Sequence, residues 1–335
     1  MAPDIDDVAR AAGVSTATVS RALRGLPNVR ESTRARVRQV AIELGYAPSA
    51  SAASLASGRT RTVGLLTPWF RRWFHAAVTE GAERALRADG FDALLYSFEL
   101  DEEFRRSRVD PFVLRRRVDG VLVVGMTLDA DEIATLAGLE VPLVFVGAGP
   151  PDRVTVGIDD EAAARVATRH LLDLGHTRIG YLGGAPAERA TWSPPVLRLE
   201  GYRAELARAG IGVRPEWLVH GHFGMTGGRT ACGGLLDAHP DITAVFAASD
   251  EMAFGAMHAI RDRGLRVPED VSVIGIDGHD LGDLVGLTTV AQDAVEQGAA
   301  AAALILEMLT GTPVGNRLTY PTTLVERSST AIPPI

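Results

Sequence analysis

From residue 5 onward, apolar and small residues fall at Val8, Ala9, Ala12, Val19, Ala22 and Leu23. Steps of three and four of this kind predict two short amphipathic helices. Gly13 stands where the first must stop and supplies a left-handed turn, and Ser15 is placed to cap the second. A third helix is predicted over STRARVRQVAIELGY, with Val37, Val40, Ala41 and Leu44 on one face and Arg34 and Arg38 on another. Three such helices form a helix-turn-helix unit whose second helix can enter the major groove of DNA. A generic three-helix bundle used for protein contacts is the alternative.

Beyond residue 60 the pattern changes to short apolar runs, each followed by a helix-like stretch. The runs are VGLL (63–66), ALLY (93–96), VDGVLVVG (118–125), PLVFVG (142–147), RIGYLGG (178–184), ITAVFAAS (242–249) and VSVIGID (271–277). They predict βαβ units with parallel sheets covered on both faces. The strands divide into a set before about residue 160 and a set after it, so two doubly wound α/β subdomains with a cleft between them are expected. A (β/α)8 barrel is the competing architecture. Between head and body, residues 48–60 (PSASAASLASGRT) have the composition of a linker or a weak helix. The expected domains are therefore 1–47, 48–60 and 61–335.

Composition narrows the chemistry. All 34 Lys+Arg residues are Arg, which removes Schiff-base lysines and the lysine-bearing phosphate loop. Residues 1–60 hold eight Arg against five acids, whereas 61–335 hold 26 Arg against 37 acids. A basic head on an acidic body suggests that one end meets a polyanion. The single Cys232 can form no internal disulfide. With no apolar run long enough for a membrane span and an acidic N-terminal segment, a cytoplasmic protein with no membrane partner is expected. The sequence has no G-x-G-x-x-G after a strand, no H-E-x-x-H, no G-x-S-x-G and no metal-ligand spacing, so neither an enzyme, a metal site nor a cofactor is expected. His176 reads as structural and Cys232 as a packing residue.

The string IDDVARAAGVSTATVSRALRG, then ELGYAPS, RRRVDGVLVVG, HLLDLGHTRIGYLGG, RLEGY, TAVFAASDEMAFGA, GLRVPEDVSVIGID and LTTV resembles the lactose-repressor/galactose-repressor (LacI/GalR) family of bacterial transcription factors over nearly the whole chain. The resemblance implies a periplasmic-binding-protein-like body of two interleaved subdomains, about 61–160 plus 290–320 and about 161–289 plus 321–335. It places Thr16, Ala17 and Arg21 on DNA bases. Arg21 can donate two bonds to guanine, and Thr16 and Ala17 can offer methyl contacts to thymine. Ser15, Ser20, Thr33 and Arg34 are expected on phosphates, with a solvated face as the alternative for Arg34. Leu55 matches the leucine of a hinge helix that wedges into the minor groove. Arg24, Arg30 and Ala53 depart from the family's usual Asn, Ser and Arg.

In the body, the resemblance implies an effector site at Trp73, Phe74, Arg198 and Asp277, with Asp159, Phe223 and Asp250 as further candidates. Core packing is the alternative for the two rings. Trp69, Ser249 and Gly278 replace a frequent Asp, Asn and Asp, and Arg71 and Arg72 are unusual in the first loop. Arg, Asp and aromatic rings together suit a sugar or sugar derivative, with a nucleobase or sugar phosphate as alternatives. The expected protein is a homodimeric, ligand-regulated repressor of carbohydrate-related genes on a palindromic DNA operator. The alternative from another class is a cytosolic binding protein or enzyme whose head contacts protein.

Overall fold

The computed structural model describes residues 3–23, 27–46, 58–98, 107–184 and 190–334. The chain divides into two compact units, Met1–Arg61 and Thr62–Ile335. Leu55, most of the 48–60 segment, Arg24 and Ala53 lie outside the described residues.

Among the described residues the first unit holds three helices, α1 (Ile5–Ala12), α2 (Thr16–Leu23) and α3 (Glu31–Leu44). Asp4 and Asp7 start α1 with a reciprocal capping box. Gly13, at φ +63°, ends it in the left-handed region that a side chain would strain. Ser15 then accepts from the Thr18 N–H at 3.3 Å, satisfying one orphan amide of α2. Val8, Ala9, Ala12, Val19, Ala22, Val37 and Ala41 make the core. Leu44, assigned to the same face, is exposed because Gly45 ends the helix beside it. Arg30 opens α3 without a side-chain cap.

In the second unit the chain first lays down β1 (Thr62–Thr67), α4 (Trp73–Ala88), β2 (Asp92–Ser97), β3 (Gly120–Val124), α5 (Ala130–Ala137), β4 (Leu143–Val146) and β5 (Val154–Ile158). It then crosses to a second lobe for α6 (Asp160–Asp173), β6 (Ile179–Gly183), α7 (Pro194–Arg208), β7 (Leu218–His220), α8 (Met225–Ala238), β8 (Ala244–Ala247), α9 (Asp250–Asp262), β9 (Ser272–Asp277), α10 (Leu281–Val285) and β10 (Thr288–Ala291). It returns for α11 (Ala294–Leu309) and β11 (Arg317–Tyr320), and ends in the second lobe with β12 (Thr323–Val325). The sheet orders are β11-β5-β4-β3-β1-β2 and β12-β10-β9-β8-β6-β7. Two open sheets exclude the single barrel.

All neighbours pair parallel except β10 and β12, so each sheet is the doubly wound type with one antiparallel edge in the second lobe. Central strands such as β3 and β4 are wholly buried, as fits a sheet covered by helices on both faces. Five strands are absent from the apolar runs: β5, β7, β10, β11 and β12. The last four are short, rich in Thr, or at sheet edges, and β5 (VTVGI) has its apolar run broken by Thr155 and Gly157; hydrophobicity alone marks such segments weakly. No helix among the described residues is long and apolar enough to cross a membrane.

Candidate functional site

In each sheet β1 or β6 lies between strands that leave in opposite directions, and the crevice at such a switch point opens at the carboxyl ends of the strands. A cavity of about 730 Å³ lies there between the lobes. Lobe one supplies Trp69 after β1, Phe74 and His75 from the first turn of α4, Met126 and Leu128 after β3, and Gly147 after β4. Lobe two supplies Asp160 and Arg198 from helix starts, Phe223 after β7, Ser249 after β8, Asp277 ending β9 and Gln292 after β10.

The polar floor is a linked set. Arg198 donates from Nε to Asp160 Oδ1 at 2.8 Å and from a terminal nitrogen to the Ala248 carbonyl, and it lies 3.8 Å from Asp277. Gln292 donates to Asp277 at 2.9 Å and is itself held by Gln297 at 2.9 Å. Burial pushes both Asp160 and Asp277 up, opposed by the Arg198 charge. Because a guanidinium does not deprotonate, the 2.8 Å bond keeps Asp160 as its counter-ion. Burial alone would lower Arg198, and the facing carboxylates overcome it.

The apolar walls are aromatic. Phe74 lies over Gly147, where a Cβ would come within 2.8 Å of the ring, and Gly147 itself sits at φ +80°. His75 is buried edge-on to Trp69 and Phe74, with ring centroids 5.5 and 5.6 Å away. Its Nε2 lies 3.3 Å from the Gly125 carbonyl, and burial pushes its pKa down to about 4, so the ring is neutral and Nε2 carries the proton. Phe223 and His222 are held at φ +55° and +50°, and Asp277 at φ +143°. Non-glycine residues in such conformations persist only where surrounding structure fixes them, and these three all line the cavity.

Of the residues expected in the effector site, Phe74, Arg198, Phe223 and Asp277 line the cavity. Asp159 is exposed and caps α6 through the Ala162 N–H, while its neighbour Asp160 faces the cavity. Asp250 is buried away from it, accepting from the Gly278 and His279 amides at 2.8 Å each and from Thr289 at 2.6 Å. Its bonds hold the loop behind Asp277. Trp73 lies outside the lining, stacked on His279. Among the lining residues not singled out from sequence are His75, Asp160, Gln292 and Glu132. Asp160 had a signal in the paired Asp of GIDD, but Gln292 is brought in only by the return of β10 to the cleft. His176 bonds Thr243, Ser272 and the Ala331 carbonyl in lobe two, and Cys232 is buried. Among the described residues no cluster of three His, Cys, Asp or Glu is placed to hold a metal.

In the helical head, Ala17 and Arg21 are exposed on α2, and Thr16, at its first position, and Ser20 are half-buried. Ser15 is exposed at the start of α2, and its hydroxyl also contacts that of Thr18 at 2.9 Å. Thr33 and Arg34 are half-buried on α3, with Arg34 3.8 Å from Glu31.

Residues 4–49 match the family described as bacterial regulatory proteins, lacI family, and residues 168–330 match the periplasmic binding protein-like domain. The chain is 34% identical to catabolite control protein A of Priestia megaterium over 91% of this chain and 92% of that protein. It is 34% identical to the HTH-type transcriptional repressor CytR of Escherichia coli (strain K12) over 99% of this chain and 98% of that one. Among solved structures, the transcriptional regulator CelR–cellobiose complex is 33% identical with a TM-score of 0.72, covering 98% of this chain and 99% of that one. The lac repressor dimer bound to operator and the anti-inducer ONPF is 26% identical with a TM-score of 0.83, covering 99% and 100%.

Proposed function

Because the chain belongs to the lacI family of bacterial regulatory proteins, we propose that it is a repressor whose homodimer reads a palindromic operator and whose cleft takes a neutral, polyhydroxylated effector. Its relatives are DNA-binding regulators and not enzymes, and this chain is a regulator of the same class. The observation that carries the effector reading is the buried Arg198–Asp160–Asp277–Gln292 set facing aromatic walls. Carboxylate oxygens accept from hydroxyls, and flat rings cover the C–H face of a sugar. Similarity to a cellobiose-bound regulator supports the same class.

The charges of the lining argue against a sugar phosphate. Three Arg (72, 108 and 198) face five acids (Asp129, Glu132, Asp160, Glu251 and Asp277). Arg108 bonds Asp129, Arg198 bonds Asp160, and Arg72 lies 3.9 Å from Glu251. A phosphate would have to displace these carboxylates. A nucleobase is the second reading, favoured by Phe74 and Phe223, which put one ring on each lobe. A thermal-shift screen of sugars, sugar phosphates and nucleosides tests this. A ligand at a hundred times its Kd adds about 2.7 kcal/mol of stability. Stabilisation by neutral sugars is expected, and stabilisation by sugar phosphates alone would overturn the reading.

At the head, Arg21 is the base-reading residue, with Thr16 and Ala17 beside it. Ser15, Ser20, Thr33 and Arg34 fix register on phosphates, and Leu55 is the minor-groove wedge. Effector binding shifts operator affinity through the segment that joins head and cleft. Steeply salt-dependent, sequence-selective binding to a palindrome from its own upstream region is expected, and salt-insensitive or unselective binding would remove the operator role.

A further inference from the structure

Two adjacent residues of lobe one, Arg72 and Trp73, also make contacts that reach lobe two, besides the Arg72 guanidinium over the Trp69 ring and the packing of Trp73 on the lobe-one core. The Trp73 ring stacks on His279 with centroids 5.5 Å apart and 25° between planes, and its indole N–H donates to Asp280. His279 in turn meets Phe254 edge-on at 5.1 Å. Arg72 donates to the His222 carbonyl at 3.4 Å and lies 3.9 Å from Glu251.

The location of these bonds gives them meaning. Trp73 is the first residue of α4, and Arg72, at the cap position, has no side chain accepting from the helix's first amides. Such orphan amides and the positive end of the helix dipole call for an acceptor. Here Glu251 of the opposite lobe brings a carboxylate to that end of the helix, 3.9 Å from the Arg72 guanidinium. Separation of the lobes therefore breaks the Arg72 and Trp73 contacts to lobe two together and takes the Glu251 charge away from the start of α4.

We propose that Arg72 and Trp73, with Glu251, His279 and Asp280, form an interlobe clasp that favours the closed cleft and so sets the effector's apparent affinity. The clasp makes Trp73 a positioning residue and not a ligand contact. If the effector binds the closed cleft, its apparent Kd rises in inverse proportion to the closed fraction, so losing the clasp weakens binding without touching the floor. The proposal rests on reading the cleft as the effector site.

The test is hydroxyl-radical footprinting of the full-length protein without ligand, which keeps its outcome separate from that of the effector screen. Met126 lines the cavity and is 5% exposed, and it is not among the clasp residues, whereas Met257 is 3% exposed in the core of lobe two. Trp73→Ala is expected to raise the oxidation rate of Met126 several-fold with Met257 unchanged. Asp280→Ala, at an exposed side chain, should give a smaller rise with the same selectivity. Because Trp73 also packs on the lobe-one core, Asp280→Ala, whose exposed side chain belongs to neither core, is the deciding variant. Wild-type Met126 oxidation in the deciding variant overturns the clasp.

Discussion

The helical head and the cleft place their functional side chains in opposite settings. In the head, Ser15, Ala17 and Arg21 are exposed on or beside one eight-residue helix, and the buried residues beneath them are a separate apolar set. In the cleft, Arg198, Asp160, Asp277 and Gln292 are buried, come from four different elements, and bond one another. On the proposed assignments, recognition and folding are carried by different residues in the head, apart from Ser15, and by the same residues in the cleft. On that reading the head can change its target by exposed substitutions, while the cleft changes its ligand only by rebuilding a buried network.

The sharpest way to break this contrast is Arg198→Ala. It strands the Asp160 carboxylate, and unfolding in urea should show a loss of about 3–5 kcal/mol. A loss under about 1 kcal/mol would mean that the floor is recognition without structure. His75 gives the next effect. Its folded pKa of about 4 lies below the ordinary 6.5, so the unfolded chain binds a proton that the folded one does not. Stability from this residue is present above pH 6.5 and is lost as pH falls toward 4, by up to about 3 kcal/mol. His75→Phe keeps a ring there, and the difference between wild type and variant should shrink by that amount across the window. A constant difference with pH would remove the neutral-imidazole assignment.

Arg21→Ala should cost about 1–3 kcal/mol of discrimination at one base position, read by binding to an operator substitution series. Because Arg21 is exposed, stability should stay within about 0.5 kcal/mol, and a larger drop would erase the contrast with the cleft. The smallest effect is Ser15→Ala. Its hydroxyl caps α2, so a loss of about 1 kcal/mol is expected in head stability, and an unchanged melting curve would show the cap to be dispensable.

The same contrast explains what was legible without coordinates. Head signals are local: Gly13, Ser15 and the three-to-four spacing act within a few residues of one another, so they can be read in order along the chain. Leu44 misled because periodicity does not say where the helix stops packing. In the body, apolar runs marked the central strands, whose burial on both faces requires continuous hydrophobicity. They could not mark β10 or β12, whose Thr-rich segments are strands because neighbours pair with them.

What the sequence by itself determined is the family, the helical head, the α/β alternation and the residue types available for recognition, with every fixed side-chain cation an Arg. These follow from periodicity, turn chemistry and motifs that act over short separations. The tertiary structure alone decided which side chains meet. It turned Asp160 rather than Asp159 toward the cavity, bound Asp250 to the loop behind it, brought Gln292 to the floor and sent Trp73 across to His279. The physical reason is that the cleft lies where two sheets end and three crossings of the chain meet, so its contacts join residues up to some two hundred positions apart. No local pattern encodes the direction in which a side chain points across such a gap.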